Sequence, residues 1–340
     1  MIIDITKFEL KLKHEFRIAR ETQVVSKNLF VRININGITG YGEGAPTEYY
    51  NEDIDKIIEI AKSLRNIDEP DLDNPNLFFK NMEENYKKYP SLRMAVDSAI
   101  YDIIGKYKKV PLYKMFGYER ENTPQTSFTI GIDTKDIFHQ KLKEAVSFPI
   151  IKVKMGSEND FDIIKILKLF PEKKYCIDAN EGWEKEEAVK KIEMINEIGV
   201  EFIEQPLKKD DLEGILWLKE RVDVKIYTDE NVRTSYDIDN IKDIYDGINI
   251  KLTKCGGIYE ALKMIDKAKL YNLDIMFGCM IESSIGITAA AHLSPVANFA
   301  DLDGNLLINN DPFKGVLVNE GKLVLPKQSG LGINEIKDIF

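Results

Sequence analysis

The sequence predicts an α/β protein: a (β/α)8 barrel that lacks its last helix, preceded by a smaller α+β unit. Three observations support this prediction. The chain has 340 residues, more than one ordinary domain requires. From about residue 125, short apolar runs rich in β-branched residues alternate with segments of helical periodicity. Eight such runs occur, and only the last lacks a helix after it.

The N-terminal unit is predicted from strands that are followed by helices. An alternating strand near residues 2–13 precedes two strand-like runs in NLFVRININGITGYGEGAP, which Asn36 and Gly37 join as a hairpin. Apolar residues recurring at three and four positions then predict helices near residues 52–66, 77–88 and 90–107. We assign residues 1–120 to this unit.

The barrel is predicted over residues 121–315. Its strands fall in the runs TSFTIGI, PIIKVKM, KYCIDAN, VEFIEQP, VKIYTDE, GINIKL, LDIMFG and NFADLD. A doubly wound open sheet would need a phosphate-binding loop of the GxGxxG or GxxxxGKS type, and the sequence contains neither. Residues 316–340, with the stretch PKQSGLGI, are expected to return to the first unit.

Composition points to a small-molecule substrate. A net charge of -10 and a pI near 5.1 argue against nucleic acid or an anionic membrane as partner, because both attract basic surfaces. The N-terminal stretch MIIDITKFEL has no apolar signal region, and the three cysteines are scattered, so we expect a cytoplasmic protein with reduced thiols. The sequence leaves open a homo-oligomer.

Charged residues recur where the predicted strands end. In a barrel the carboxyl ends of the strands form the mouth of the active site. The residues there are Lys152 and Lys154 on the second strand, Asp178 on the third, Glu204 on the fourth, Asp229 on the fifth and Lys251 on the sixth. A single acid of this kind is most often a helix cap, but a repeat on consecutive strands is hard to attribute to coincidence.

The three carboxylates predict a cation site. Asp178, Glu204 and Asp229 would repel one another unless a cation lay among them. An all-oxygen set favours a hard ion, with Mg²⁺ as first choice and Mn²⁺ as second.

The lysines predict base catalysis. Lys152 and Lys154 share one face of their strand, and a like charge beside Lys154 should lower its pKa towards the range of a useful base. An exposed edge strand with solvated lysines is the alternative for this segment alone. Lysines on the second and sixth strands could remove and return a proton on opposite faces of one carbon, which inverts a stereocentre. Lys254 falls past the strand end, and we interpret it as structural or exposed.

Together these motifs resemble one family. IKVKMG, DANEGW, IEQPL, TDENV and NIKLTKCGGI are similar to the enolase superfamily, muconate-lactonizing-enzyme subgroup, and the similarity extends from GYGEGAP to the closing GLGI. The resemblance implies a modified (β/α)7β barrel under a capping domain formed by the N-terminal part and the C-terminal tail. It also implies one Mg²⁺ and a two-lysine proton transfer through an ene-diolate. The branch that uses a histidine base is set aside, because His14, His139 and His292 lie away from the sixth and seventh strand ends.

Within the subgroup, FADLDGN is the discriminating stretch. Asp301 and Asp303 resemble the Asp-x-Asp pair of dipeptide epimerases, which receives the free ammonium of a dipeptide. Substrates of N-acylamino acid racemase and o-succinylbenzoate synthase lack that ammonium, and those activities are the nearest alternatives. Met280 and Ile281 are expected to contact the substrate. Asn180, Glu230 and Glu282 are expected to support the site, with Glu282 behind the lysine face.

The stretch FRIARETQVV predicts a mobile specificity loop near residues 16–25. In L-Ala-D/L-Glu epimerases this loop carries an arginine for the substrate's glutamate, and the matching position here is Glu21, with Arg20 beside it. We therefore expect a cationic or neutral side chain on the epimerised C-terminal residue of an L,L-dipeptide, unless Arg20 turns in. Remoter alternatives are a Schiff-base aldolase, which needs no metal, and a non-catalytic ligand-binding barrel.

Overall fold

The computed structural model describes residues 1–340, with the exception of the side chain of Asn66. An antiparallel three-stranded sheet with helices comes first, and an eight-stranded parallel sheet follows it. The first part contains β1 (Ile2–Arg17), β2 (Thr22–Ile35), β3 (Ile38–Gly44), α1 (Ile54–Ala61), α2 (Asn76–Asn85), α3 (Pro90–Tyr107) and α4 (Leu112–Met115).

The β1–β2–β3 sheet is formed as predicted, with one difference in length. Asn36 and Gly37 both have positive φ, 51° and 83°, which is the two-residue turn that joins β2 to β3. The strand β1 runs beyond its predicted end to Arg17 and pairs with Thr22 of β2. The predicted specificity loop therefore includes the tip of a hairpin, formed by residues 18–21.

Three glycines of β3 allow helix α3 to lie directly on the sheet. A Cβ at Gly40, Gly42 or Gly44 would come within 2.2 Å of a backbone oxygen of α3. Such a distance is far inside van der Waals contact, so any side chain on this face of β3 would push the helix away. This packing explains the alternating glycines of GYGEG, which the sequence analysis used only as a family mark.

The parallel sheet is a nearly closed barrel with the predicted strand order. Each strand pairs with its neighbours in chain order, and the N–H of Ser127, just before β4, donates to Ala300 O at 2.9 Å and joins the first strand to the last. The strands are β4 (Phe128–Ile130), β5 (Ile150–Lys154), β6 (Lys174–Asp178), β7 (Val200–Glu204), β8 (Ile226–Thr228), β9 (Gly247–Ile250), β10 (Asp274–Gly278) and β11 (Phe299–Asp301).

Helices surround the barrel except after the last strand. They are α5 (Lys135–Glu144), α6 (Asp160–Leu167), α7 (Lys185–Asn196), α8 (Leu212–Lys219), α9 (Ile238–Ile241), α10 (Leu252–Cys255), α11 (Ile258–Leu270) and α12 (Ser284–Ala291). After β11 the chain takes a short 3-10 turn at Gly304–Leu306 and then irregular conformation, so the eighth helix is replaced as predicted.

Alternation along β5 divides its side chains between two environments. Ile151 and Val153 join the main core beneath the surrounding helices, whereas Ile150 belongs to a small apolar cluster inside the barrel. Lys152 and Lys154 share the inner face with Ile150 and are only 1% and 9% exposed. The edge-strand alternative for these lysines is therefore wrong, because β5 pairs on both sides, with β4 and β6.

The C-terminal tail lies against the first part of the chain. Leu331 N donates to Asp102 Oδ1 of α3 at 2.8 Å, and Tyr41 of β3 donates its hydroxyl to Glu335 at 2.8 Å. The tail contains β12 (Phe313–Lys314), β13 (Leu317–Asn319), β14 (Lys322–Val324) and β15 (Asn334–Glu335). Among the described residues no helix is both long and apolar enough to cross a bilayer.

Candidate active site

The barrel mouth brings the predicted lysines and carboxylates into direct contact. Lys152 Nζ donates to Asp301 Oδ2 at 2.7 Å, and it lies 2.7 Å from Glu204 Oε2 and 3.1 Å from Asp178 Oδ2. Only the contact with Asp301 is aligned as a hydrogen bond, so the other two are electrostatic. Burial lowers the pKa of Lys152, but the surrounding carboxylates outweigh burial and leave that pKa raised.

The other two lysines approach the carboxylates from separate strands. Lys154 Nζ donates to Asp178 Oδ2 at 2.6 Å, and Lys251 Nζ donates to Asp229 Oδ2 at 2.9 Å. Burial opposes ionisation of both aspartates, yet the adjacent lysines prevail and hold their pKa values below the ordinary range. The pKa of Lys251 is raised, because the charge of Asp229 outweighs burial.

Each of the three expected metal ligands has one oxygen held by the protein and one directed to the mouth. Asp178 Oδ1 accepts from the backbone N–H of Asn180 at 3.0 Å, and Glu204 Oε1 accepts from Asn249 Nδ2 at 2.7 Å. Asp229 Oδ1 accepts from the ammonium of Lys254. The remaining oxygens, Oδ2 of Asp178, Oε2 of Glu204 and Oδ2 of Asp229, face the lysines.

Lys254 is buried, so of the two interpretations, structural or exposed, the exposed one is wrong. Only 2% of the residue is exposed, and its Nζ also donates to the backbone oxygens of Asp229, Val232 and Asn249. The short helix α10 turns the chain back, which places Lys254 behind Asp229 instead of past the strand end. Burial lowers the pKa of Lys254.

The donor set suits a hard cation such as Mg²⁺. The three inward-facing oxygens are carboxylate oxygens, and Asn180 Oδ1 is buried without a hydrogen-bond partner among the described residues. Within those residues, no three acidic, histidine or cysteine side chains already stand at ligand spacing, since lysine ammonium groups separate the carboxylates. Asp178, Glu204 and Asp229 would hold such a cation, which would supply the positive charge that the ammonium groups supply here.

Asp301 and Asp303 both line the cavity, but their surroundings differ. Besides Lys152, Asp301 accepts from Ser127 Oγ at 2.7 Å and from Thr129 Oγ1 at 2.9 Å, so both of its oxygens are engaged. Asp303 accepts from Thr129 N at 2.6 Å. Burial and the charge of Asp301 raise the pKa of Asp303 to about 7. Of these two carboxylates, Asp301 is paired with a lysine, and Asp303 has no cationic partner among the described residues.

The hairpin tip lies over the cavity, with Arg20 directed into the barrel. Its guanidinium donates to Glu230 Oε1 at 2.7 Å and lies 4.1 Å from the ring centre of Tyr49. Burial and the charge of Asp229 raise the pKa of Glu230 to about 7. Arg20 is thus held by the protein itself, next to an expected metal ligand.

The remaining predicted contacts lie on the cavity wall or behind it. Glu21, Met280 and Ile281 line the cavity, and Glu21 is exposed at its rim. Glu282 is buried, and its Oε1 accepts from the N–H of Met280 at 3.0 Å. Burial and the charge of Glu43 raise the pKa of Glu282 to about 8, and the charge of Lys251 opposes that rise.

A carboxylate that sequence analysis missed ties the first part of the chain to this wall. Glu43 of β3 is fully buried and accepts from Ser283 Oγ at 2.6 Å and from Gly286 N at 3.0 Å. Asn28 Nδ2 donates to Glu43 at 2.8 Å and to Ile281 O at 2.9 Å. The sequence feature that could have identified Glu43 is an acidic residue between two glycines in GYGEG.

Two family models match the chain and divide it between them. One is described as the mandelate racemase / muconate lactonizing enzyme N-terminal domain and matches residues 2–117. The other is described as enolase C-terminal domain-like and matches residues 138–338, more than half of the chain. The chain belongs to the enolase superfamily. The family and the barrel architecture predicted from the sequence are confirmed.

Relatives of this enolase-superfamily chain include epimerases. An L-Ala-D/L-Glu epimerase from Bacteroides thetaiotaomicron is 38% identical over 331 residues, which are 97% of this chain and 86% of the relative. An L-Ala-D/L-amino acid epimerase from Maribacter sp. is 38% identical over 336 residues, 98% of this chain and 99% of the relative.

One similar solved structure holds both a metal and a dipeptide. It is a dipeptide epimerase from Enterococcus faecalis complexed with Mg and the dipeptide L-Leu-L-Tyr. Its TM-score to this chain is 0.91 at 33% identity, and the match covers 98% of this chain and 99% of the other.

Proposed function

We propose that this chain is a Mg²⁺-dependent dipeptide epimerase that inverts the α-carbon of the C-terminal residue of an L,L-dipeptide. Its relatives are epimerases, which makes the chain an isomerase. The observation that carries the proposal is the pair Lys154 and Lys251. Lys154 ends strand β5, and Lys251 directly follows strand β9, four positions away around an eight-stranded barrel; both lysines border the same cavity.

Asp178, Glu204 and Asp229 would hold the Mg²⁺ through the oxygens that face the mouth. The metal would bind the carboxylate of the substrate and stabilise the negative charge that forms there when the α-proton leaves. Mn²⁺ is expected to substitute, because it accepts the same oxygen donors. Asn249 and Lys254 would fix the orientation of Glu204 and Asp229 by holding their second oxygens.

Lys154 and Lys251 would act as base and acid on opposite faces of the α-carbon. One lysine takes the proton from one face, and the other returns a proton to the opposite face, so the configuration inverts. A lysine serves as a base only when its pKa approaches neutrality. Mg²⁺ held by Asp229 would compete with Lys251 for that carboxylate and so would favour the neutral form of Lys251. Lys152 would remain charged beside the substrate carboxylate.

Asp303 and Asp301 would receive the free α-ammonium of the dipeptide. Asp303 is the principal partner in this proposal, because Asp301 is already paired with Lys152, Ser127 and Thr129. Two buried carboxylates beside one ammonium also disfavour an N-acylated substrate, which would leave Asp303 without a cation.

Glu21 supports a cationic or neutral side chain on the epimerised residue. It stands at the cavity rim near Met280 and Ile281, whereas Arg20 is bound to Glu230 and Tyr49. A glutamate side chain on the substrate would meet a like charge at Glu21. Glu21 would therefore favour lysine, arginine or an uncharged residue at this position.

Exchange of the α-proton tests the proposal. The protein is incubated with Mg²⁺ in D2O and a library of L,L-dipeptides, each as the free amine and as its N-acetyl counterpart, and mass spectrometry reads the incorporated deuterium. Deuterium confined to the free dipeptides is the expected result. Exchange only in the acylated compounds would instead assign an N-acylamino acid racemase, and borohydride trapping without metal would assign an aldolase.

A further inference from the structure

The tip of the β1–β2 hairpin, residues 18–21, packs against two glycines, Gly156 and Gly182, which we call the seat. Ile18 N donates to Glu21 O at 2.9 Å and closes the tip, which exposes Ala19 towards the barrel. A Cβ built on Gly156 would lie 2.8 Å from the methyl group of Ala19, and one built on Gly182 would lie 3.1 Å from it. Ala19 therefore fills this space completely, and the two glycines lie against each other beneath it.

The two glycines belong to the loops that follow the strands of Lys154 and Asp178. Gly156 comes two residues after Lys154, and Gly182 comes four residues after Asp178. Lys154 and Asp178 themselves form an ion pair at 2.6 Å. The position of the seat is thus coupled to the position of a proposed base and of a proposed metal ligand.

One buried carboxylate holds both loops together. Asp160 Oδ2 accepts from Gly156 N at 2.9 Å, from Trp183 Nε1 at 2.8 Å and from Lys191 Nζ at 2.7 Å. Its Oδ1 accepts from Ser157 N at 3.0 Å. Only 1% of Asp160 is exposed, and it does not line the cavity. Asp160 therefore links the β5 loop, the β6 loop and helix α7 through a single side chain.

We propose that Asp160 is a positioning residue that builds the seat for the hairpin tip and so controls closure of the tip over the substrate. The inference rests on the proposed function, since it assumes that the cavity beneath the tip binds substrate. The contact between the tip and the seat does not depend on that assumption, because it can be measured without any substrate. Closure of such loops excludes water and completes the binding site.

The substitution Asp160→Asn tests this role. The amide removes the negative charge that Lys191 binds and turns an NH2 group onto the N–H donors of either Ser157 or Gly156 and Trp183, so the link between the two loops is weakened while the side-chain volume stays. We expect KM for a dipeptide to rise about tenfold with kcat changed by less than about threefold. We also expect faster hydrogen exchange at residues 18–21 in the substrate-free protein, measured by mass spectrometry.

Asp102→Asn is the matched control. Asp102 is a fully buried carboxylate that accepts from Lys106 Nζ at 2.7 Å and from Leu331 N at 2.8 Å, beneath the first sheet and away from the mouth. It should lower the melting temperature to a similar degree and leave KM and tip exchange unchanged. Equal effects of both variants on KM and tip exchange, or unchanged tip exchange in Asp160→Asn, would overturn the inference.

A second variant tests the seat without touching the buried carboxylate. Ala19→Val adds two methyl groups where the two glycines leave room for one, so the tip should lift, with the same rise in KM and in exchange. Unchanged values in Ala19→Val would overturn the inference. If the wild-type protein turns over no dipeptide, the proposed function fails, and tip exchange in Asp160→Asn still decides the role of Asp160.

Discussion

Lys154 and Lys251 stand opposite each other across the barrel mouth, each bonded to a different aspartate. Three strands separate β5 from β9 in either direction around the eight-stranded sheet, which places the two ammonium groups on facing walls. Lys154 lies 2.6 Å from Asp178, and Lys251 lies 2.9 Å from Asp229. The α-carbon of a substrate held between these walls would present one face to each lysine.

Replacing either lysine should therefore stop inversion but preserve α-proton exchange in one of the two epimers. In Lys154→Met and in Lys251→Met, we expect epimerisation to fall at least about 100-fold, the range for loss of a general acid or base. Each variant should still exchange the α-proton of the one epimer whose proton faces the remaining lysine. Exchange in D2O, measured separately on the L,L and the L,D dipeptide, distinguishes the two faces.

Lys263→Met is the control for both variants, because Lys263 pairs with Glu83 and Glu260 on the outer helices. It should leave exchange of both epimers unchanged. If Lys154→Met and Lys251→Met spare the same epimer, the two-face arrangement is wrong.

Asn249 should govern metal affinity without touching the metal. Its Nδ2 holds Glu204 Oε1 at 2.7 Å, so Asn249→Ala frees the carboxylate to rotate. Loss of such a supporting hydrogen bond typically weakens metal binding about 10–100-fold. Isothermal titration of Mg²⁺ into metal-free protein measures this affinity directly. The control is Asn298→Ala, because Asn298 Oδ1 accepts from Ile275 N near the start of β10, at the end of the barrel opposite the mouth. Equal Mg²⁺ affinity in the two variants would contradict the proposed ligand role of Glu204.

Recognition of the substrate ammonium should depend on pH through Asp303. Its pKa of about 7 lies above the ordinary value, so the carboxylate is neutral below that pH and negative above it. The ammonium of a dipeptide loses its proton near pH 8. KM should therefore be lowest between about pH 7 and 8 and rise about tenfold by pH 6. A plot of KM against pH should rise on the acid side in the wild-type protein and stay level there in Asp303→Asn. A rise that persists in the variant would assign the titration to another group.

The lysines and carboxylates of the mouth could be predicted because each follows from one-dimensional rules. A strand period of two puts Lys152 and Lys154 on one face, and a barrel directs all strand ends to one mouth. These two rules suffice to bring together residues that are up to 99 positions apart, from Lys152 to Lys251. No coordinates are needed for that step.

The supporting groups could not be predicted, because their partners are set by how loops turn in space. The sequence left open whether Lys254 is structural or exposed, and its contact with Asp229 depends on the turn of the short helix α10. Arg20 looked available to a substrate, but its partner Glu230 lies 210 positions away. Sequence spacing carries no signal for such pairs, since each depends on the packing of two separate loops.

We expect Lys254 to contribute mainly to the free energy of unfolding. Lys254→Met would remove the Lys254 donor from Asp229 Oδ1 and from three backbone oxygens. Removing one partner of a buried ion pair typically costs about 3–5 kcal/mol of unfolding free energy. Urea denaturation monitored by circular dichroism tests this value against Lys62→Met, whose exposed pair with Glu59 should contribute less than about 1 kcal/mol. Similar midpoints for the two variants would show that Asp229 does not depend on Lys254.

Arg20 and Glu21 should have separable effects although they are adjacent. Glu21 stands at the cavity rim, so Glu21→Arg should shift the preferred dipeptides from cationic or neutral towards acidic side chains, by about tenfold in the ratio of kcat/KM values. Arg20 is bonded to Glu230, so Arg20→Met should raise KM for every dipeptide by a similar factor and leave that ratio unchanged. Competition of paired dipeptides in one reaction, read by mass spectrometry, yields the ratio directly. A changed ratio in Arg20→Met, or an unchanged one in Glu21→Arg, would mean that Arg20 reads the side chain and that its bond to Glu230 gives way when substrate binds.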